Sequence, residues 1–461
     1  MNRIASRTRI VLVFILVLSL GLGFFVGEFL TQSGDWISRP GSPHVYEAGQ
    51  LNIGVVLDAD GKILMDTREG KAYSTDTALN KAMIHWLGDR QGNIYAPALG
   101  NYVKEMLGYD PISGIYSYSE ADSVARLTIS AQVQKTAQEA LSGYNGTVAV
   151  YNYRTGEILC AITTPNYDPD NVPENIRDGG VYDAPFWNRF TQAAYIPGSI
   201  YKTVTMAAVM EARPDLLEQT YTCTGRYDIE GDYLACETAH GTQTAKEAFR
   251  NSCNCAFAQI AQQLGGETLS RYVKKFGIHT AVEFDGITTA KGNYDAGDAD
   301  IYLARSAIGQ HLDQVNPCVF LTYMGAVARG GEGITPHLVE HISLGDETAY
   351  KAQPEVRERI MSRQTAQLLT EYMRATVTEK YGDWNFPGLN VCAKTGTAEV
   401  VTTQDGQEAA VKPNAMFAGF CQDDKYPLAF IICVEDAGYG SAVCIPIASR
   451  VLGACKSYLD G

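Results

Sequence analysis

Positive charge is scarce in this chain: 37 Lys and Arg face 52 Asp and Glu over 461 residues, a formal net charge of -15. So acidic a chain offers no broad cationic surface to neutralise a phosphate backbone, and nucleic acid is not an expected partner. Eleven cysteines are present, yet no two have C-x-x-C spacing, and only Cys253 and Cys255 form a C-x-C pair. The usual signature of a structural zinc cluster is therefore missing, and no metal is expected. An odd count leaves at least one thiol unpaired within the chain; composition does not say whether the others are bridged. No cysteine follows the N-terminal apolar run closely, which argues against a lipoprotein anchor. Internal repeats and low-complexity tracts are also missing. At 46% hydrophobic and 19% charged residues, what remains is the composition of an ordinary folded protein long enough for two or three domains.

Residues 10–27 carry no charge and follow Arg3, Arg7 and Arg9. This pattern predicts a membrane segment with its N-terminus inside. A cleaved signal peptide, with Ser19 or Gly21 near a weak cleavage site, is the alternative. Either reading puts the remainder outside the cytoplasm. Residues 31–46 are rich in Gly, Ser and Pro, including Pro40-Gly41-Ser42-Pro43, and read as a linker, with folded structure expected from about Gly49. Two short strands around Asp60-Gly61 and helices near 77–87 and 100–107 should follow. A composition shift near 125 marks the expected domain boundary. Beyond it, a helix headed by Ser130 precedes a hairpin whose strands, 146–151 and 157–162, flank Thr155-Gly156.

The chemistry begins at Pro197-Gly198-Ser199-Ile200-Tyr201-Lys202. Pro and Gly break the chain just before good helix formers, so Ser199 should open a helix with Lys202 one turn along on the same face. Backbone N–H groups there favour an oxyanion, and the lysine can reach the serine proton. Alone, such a string is a capped helix with a solvated lysine. Two further elements change the weighing. Ser252-Cys253-Asn254 precedes a helical pattern, and Lys394-Thr395-Gly396-Thr397 follows the apolar strand pattern 389–393.

This ordered trio resembles the penicillin-binding proteins and the wider penicilloyl serine transferases, whose Ser-x-x-Lys, Ser-x-Asn and Lys-Thr-Gly motifs it matches. Asn188-Arg189, the segment around Asp168, His240-Gly241 and Ser306-Ala307-Ile308-Gly309-Gln310 are similar to further family landmarks. The resemblance covers about residues 125–455, and the stretch 50–70 looks like the start of the non-catalytic domain of class B members. It implies an α+β chain: anchor to residue 30, linker 31–48, small α+β non-catalytic domain 49–125, and transpeptidase domain 126–461. The last would have a central antiparallel sheet flanked by helices and an all-helical subdomain.

By that resemblance Ser199 is the nucleophile and Lys202 its base, with the lysine ammonium destabilised by burial and by Lys394 across a cleft. Ser252 and Asn254 would relay the proton and orient the substrate. Lys394, Thr395 and Thr397 would hold a carboxylate, Gly396 would admit the substrate backbone, and the N–H groups of Ser199 and Thr397 would form an oxyanion hole. No cofactor is implied. The chain departs from many relatives in having Cys253 inside the second motif, and Asn414-Ala415-Met416-Phe417 where an aromatic-rich segment is common. His240 and His311 lack an Asp partner at recognisable spacing and read as structural.

The implied activity is a membrane-anchored peptidoglycan D,D-transpeptidase acylated by β-lactams. Its substrates would be stem peptides on lipid-linked nascent strands, and its partner a membrane glycosyltransferase. The region 49–125 is too short to be a glycosyltransferase domain itself. A D,D-carboxypeptidase or β-lactamase, and a non-catalytic penicillin sensor or divisome scaffold, are the alternatives. Cys223 and Cys236 bracket an expected hairpin that could bring them within disulfide reach; two packing thiols are an equal alternative.

Overall fold

The computed structural model describes residues 2–37, 46–47, 50–51, 54–67, 72–109, 111–112, 123–398, 401–404, 407–410 and 412–461. Pro40 to Pro43 of the expected linker and the expected domain start at Gly49 lie outside them. The N-terminal helix Asn2–Ile37 contains the apolar run, whose side chains no other element covers. It is long and apolar enough to cross a membrane. The helix continues past position 30, where the sequence pattern places the linker. No proline interrupts it before Pro40, Thr31 Oγ1 donates back to Gly27 O at 2.9 Å, and the Phe29 and Trp36 rings meet at 6.4 Å.

Two sheets organise the remainder. A six-stranded sheet runs in the order Glu347–Lys351, Val339–Leu344, Ser123–Leu127, Val55–Leu57, Ile63–Asp66, Ala72–Tyr73. Its strand Ser123–Leu127 pairs parallel with Val55–Leu57 and antiparallel with Val339–Leu344. The composition shift near 125 thus falls in a strand shared by the N-terminal segment and the later chain. The turn at Asp60-Gly61 forms as expected: Asp58 Oδ1 accepts from Asp60 N–H and Lys62 N–H at 3.0 and 2.7 Å.

The second sheet is antiparallel, in the order Val391–Ala398, Asn414–Cys421, Leu428–Val434, Gly146–Asn152, Ile158–Thr164. The helices Ala131–Ala140 and Gly440–Asp460 pack on one face and Pro317–Ala328 on the other. Every residue of Leu428–Val434 and Ile158–Thr164 is consequently buried, which is why both strands read as continuous apolar runs rather than as alternation. Gly440–Asp460 also has the length and apolarity of a membrane span, but its buried stripe packs on this sheet as a core helix. Beside the sheet, the helix Lys202–Ala212 is buried from Lys202 through Met210 and is surrounded by further helices. Two ribbons emerge from this helical part: Thr220–Cys223 paired with Gly241–Thr244, and Arg226–Ile229 paired with Asp232–Ala235.

Phe417 anchors the sheet beneath the Gly440–Asp460 helix, fully buried, with ring centroids 6.1 Å from Phe386, 5.1 Å from Phe430 and 5.8 Å from Tyr381. Phe417→Ala should destabilise the fold by about 3 to 5 kcal/mol in denaturant titrations of detergent-solubilised protein, combining lost transfer energy and a cavity. A loss below about 1 kcal/mol would contradict this packing.

Candidate active site

Ser199 lies on the 3-10 turn Gly198–Tyr201, which runs directly into the helix Lys202–Ala212. The expected helix start is there, with a tighter first turn. Gly198 has a φ of +54°, and a Cβ there would stand 2.5 Å from Thr397 O. The turn and the strand Val391–Ala398 therefore meet backbone to backbone. Gly396 makes the reciprocal contact: its Cβ would fall 2.7 Å from Pro197 O and 3.1 Å from Ile200 Cγ2. Where the resemblance implied room for a substrate backbone, the space at Gly396 is taken by the Ser199 turn.

Ser252 closes the helix Ala245–Asn251 in the left-handed region, with φ 57° and ψ 37°. Cys253 then caps the helix Asn254–Leu264, its Sγ accepting from Ala256 N–H at 3.4 Å. The reversal aims three oxygens at one point. Lys202 Nζ stands 2.7 Å from Ser252 O, 2.7 Å from Asn254 Oδ1 and 3.2 Å from Ser252 Oγ, while Ser199 Oγ lies 3.1 Å away on the fourth side.

Counting donors decides what this arrangement can do. A neutral amine has two N–H groups and one lone pair. Ser252 O and Asn254 Oδ1 can only accept and so use both N–H groups, which leaves the lone pair for a serine hydroxyl proton. Lys202 is fully buried, and burial, aided by the charge of Lys394, holds its pKa well below the usual lysine value. Lys394 is also fully buried; its Nζ donates to Ser252 Oγ and to Thr395 O, each at 3.0 Å. Burial and the nearby Lys380 push its pKa down to about 7. Ser252 Oγ thus sits between two lysine nitrogens, and a proton can pass between Ser199, Lys202 and Ser252 without leaving hydrogen-bond distance.

The structure gathers Ser199, Lys202, Ser252, Asn254 and Lys394 into one cluster. The hydroxyls of Thr395 and Thr397 do not join it. Alternation along the strand sends them to the opposite side from Lys394. Thr395 Oγ1 pairs with Tyr381 OH at 2.8 Å, and Thr397 Oγ1 accepts from Gly440 N–H at 3.2 Å. Tyr381 and Lys380 escaped the sequence reading. They lie on the π-helical turn Val377–Tyr381, where Tyr381 OH also accepts from Thr395 N–H at 3.1 Å and Lys380 Nζ donates to Asn251 O at 3.2 Å. No motif marks that turn; only Gly382 signals a helix end. Asn188 caps the short helix Arg189–Gln192, and Arg189 pairs with Glu435 at 2.8 Å, the same carboxylate that accepts from Tyr195 OH. His311 stacks on Tyr302 with centroids 4.6 Å apart, and His240 Nδ1 stands 3.5 Å from Cys223 Sγ, so neither touches the cluster.

Comparison with known proteins agrees with this geometry. Residues 146–453 match the family model of the penicillin binding protein transpeptidase domain. Stage V sporulation protein D of Bacillus subtilis is 28% identical over 348 residues, covering 71% of this chain but 52% of that protein, so the chain spans about half its length. Peptidoglycan D,D-transpeptidase PbpA of Mycolicibacterium smegmatis is 28% identical over 360 residues, 71% of each chain. In fold, the chain is similar to penicillin-binding protein A of M. tuberculosis, solved as a ceftriaxone acyl-enzyme complex, with TM-score 0.74 and 22% identity over 87% of this chain and 98% of that one. The D,D-transpeptidase domain of a peptidoglycan glycosyltransferase from Eggerthella lenta superposes with TM-score 0.74 and 22% identity, over 88% and 98%. Because the matched span carries the Ser199 turn, the Ser252 reversal and the Lys394 strand together, the chain belongs to the penicillin-binding protein transpeptidase family.

Proposed function

We propose that the chain is a peptidoglycan D,D-transpeptidase of the class B kind, working through an acyl-enzyme at Ser199. One observation carries the assignment: Lys202 Nζ stands 2.7 Å from two carbonyl oxygens, Ser252 O and Asn254 Oδ1, and 3.1 Å from Ser199 Oγ, so that a neutral amine there would have its lone pair left for the Ser199 hydroxyl. Ser199 Oγ attacks the penultimate D-Ala carbonyl of a stem peptide as its proton passes to Lys202. The N–H groups of Ser199 and Thr397, on elements that touch at Gly198 and Gly396, stabilise the developing oxyanion. The C–N bond then breaks, the proton leaves with the terminal D-Ala amine, and an amine on a neighbouring strand takes the acyl group and restores Ser199. Lys394 supplies the positive charge that holds the terminal carboxylate; the Thr395 and Thr397 hydroxyls, turned toward Tyr381 and Gly440, take no part in that contact. A β-lactam carbonyl acylates the same serine. The relatives named as D,D-transpeptidases support this reading.

The domain plan inferred from the sequence, with an anchor, a non-catalytic segment to about 125 and a transpeptidase domain beyond, goes with a single-pass protein. Its N-terminus is cytoplasmic, behind Arg3, Arg7 and Arg9, and its catalytic part lies outside. A membrane glycosyltransferase supplies the nascent strands. The protein should stay in membranes after high-salt washing, with its C-terminus open to external protease; release of a form beginning after residue 20 would show cleavage instead.

Fluorescent penicillin should label the wild-type protein covalently, and Ser199→Ala should abolish the label. Stoichiometric labelling of the variant would remove Ser199 from its role, and rapid loss of label to water would favour a β-lactamase or carboxypeptidase.

The pH dependence follows from the two lysines. Lys202 must be neutral to accept a proton, so acylation rises as pH climbs through its lowered pKa. Lys394 must be charged to hold a carboxylate, so acylation falls as pH passes about 7. A bell-shaped profile of the second-order acylation constant is expected, and Lys394→Arg, charged throughout, should remove its alkaline limb. An unchanged alkaline limb would separate Lys394 from carboxylate binding.

A further inference from the structure

We infer that Cys223, Cys236, His240 and Cys253 form a structural zinc site behind the second motif. Their donor atoms, three sulfurs and one imidazole nitrogen, all lie within 4.8 Å of one another. Cys236 Sγ is 3.8 Å from Cys253 Sγ, and Cys223 Sγ is 3.5 Å from His240 Nδ1. A tetrahedron with Zn–S of about 2.3 Å and Zn–N of about 2.0 Å has edges of about 3.8 Å between sulfurs and about 3.5 Å between sulfur and nitrogen. The Cys236–Cys253 and Cys223–His240 separations match those edges, and the other four pairs lie within 4.8 Å. They are far from the roughly 2.0 Å of a disulfide, and all four thiols of the neighbourhood, Cys255 included, are free.

The topology explains why the sequence showed no zinc signature. Cys223 ends the strand Thr220–Cys223 and pairs in register with Gly241, which brings His240 beside it. Between them the hairpin Arg226–Ile229 and Asp232–Ala235 folds out and back, and Cys236 N–H donates to Gly225 O at 2.9 Å, closing its base. The fourth donor comes from a different element, the cap residue Cys253 of the helix Asn254–Leu264. Cys236 and His240 are four residues apart, but Cys223 and Cys253 each stand thirteen residues from the next donor, and the ribbon pairing and the helix cap bring them in. On this proposal the expectation of no zinc cluster, drawn from the missing C-x-x-C spacing, would not hold. Cys255 is not among the four whose donor atoms all lie within 4.8 Å of one another, although its Sγ is 3.6 Å from Cys236 Sγ; it also donates to Leu234 O at 3.9 Å.

Three thiolates with one neutral imidazole are the soft, tetrahedral donor set that selects Zn²⁺, and four protein ligands close the site to water. One face of the hairpin is exposed at Arg226, Asp228, Glu230 and Tyr233, while Ile229 and Leu234 are buried in the core and Arg305 pairs with Asp232 at 2.7 Å, so a metal would pin the base of the hairpin at Cys223 and Cys236. The metal would also bear on the cluster around Lys202. Asn254 Nδ2 donates to Ala235 O at 2.8 Å while its Oδ1 accepts from Lys202. Metal bonds at Cys236 and Cys253 would fix the residues next to both ends of that link.

The test is elemental analysis of the full-length protein purified in detergent without chelator, under reducing conditions and after equilibration with Zn²⁺. One zinc per chain is expected, lost in Cys236→Ser and in Cys253→Ser and retained in Cys255→Ser. On the unmutated chain, Co²⁺ replacement should give the intense visible bands of tetrahedral cobalt with thiolate charge transfer, so the result does not depend on whether a variant folds. Metal-free protein, an octahedral cobalt spectrum, or a linked Cys223 and Cys236 peptide in unreduced protein from the native envelope would each overturn the site. None of these readouts needs transpeptidase activity, so the metal site and the catalytic reading stand or fall separately.

Discussion

Two lysines buried against each other set the terms for the rest of the molecule. Lys202 and Lys394 are both fully buried and both bond to Ser252 Oγ. Desolvating two like charges is costly, and among the described residues no carboxylate is a hydrogen-bond partner of either nitrogen to offset it. The cost falls if the amine that can lose its proton does so. The same cost is what makes Lys202 a usable base near neutrality, so the instability and the chemistry have a single origin.

Holding such a pair demands a backbone that cannot relax away from it. Gly198, Gly309 and Gly396 provide this by bringing main chains into contact. Gly198 N–H donates to Gly309 O at 2.8 Å, a Cβ on Gly309 would lie 2.3 Å from Gly198 O, and Gly396 faces Pro197 O. The edge strand Val391–Ala398 carries Lys394 on a sheet covered on both faces, so the second lysine is as fixed as the first. The left-handed Ser252 completes the enclosure. A non-glycine residue in that region is strained, and its reward is the convergence of Ser252 O and Asn254 Oδ1 on Lys202.

Much of this was legible before folding, for physical reasons. The helix Thr77–Leu87, the helix capped by Ser130 and the hairpin around Thr155-Gly156 formed where local cap and turn chemistry placed them. The Ser199 and Ser252 motifs were legible because each sits at an element boundary, where residue choice is restricted, whereas Lys394-Thr395-Gly396 lies inside the strand Val391–Ala398 and was legible through its order after the other two. Strand faces were harder. Nothing in Lys394-Thr395-Gly396-Thr397 says that Gly396 meets the Ser199 turn, because that contact belongs to Pro197 and Ile200. Tyr381 lies on a π-helical turn that has no sequence pattern of its own.

The sequence by itself determined the apolar N-terminal helix, the order of the motifs and the helical or extended state of the segments that carry them. These follow from local periodicity, capping and composition, which act over a few residues. Only the tertiary structure lowers the pKa of Lys202, through burial first and the charge of Lys394 second. It alone turned the Thr395 and Thr397 hydroxyls away from the lysines, and it alone brought the donor atoms of Cys223, Cys236, His240 and Cys253 within 4.8 Å of one another. Each of these is a relation between residues far apart in the chain, and no local pattern carries it until the ribbon, the sheet edge and the buried helix have closed on one another.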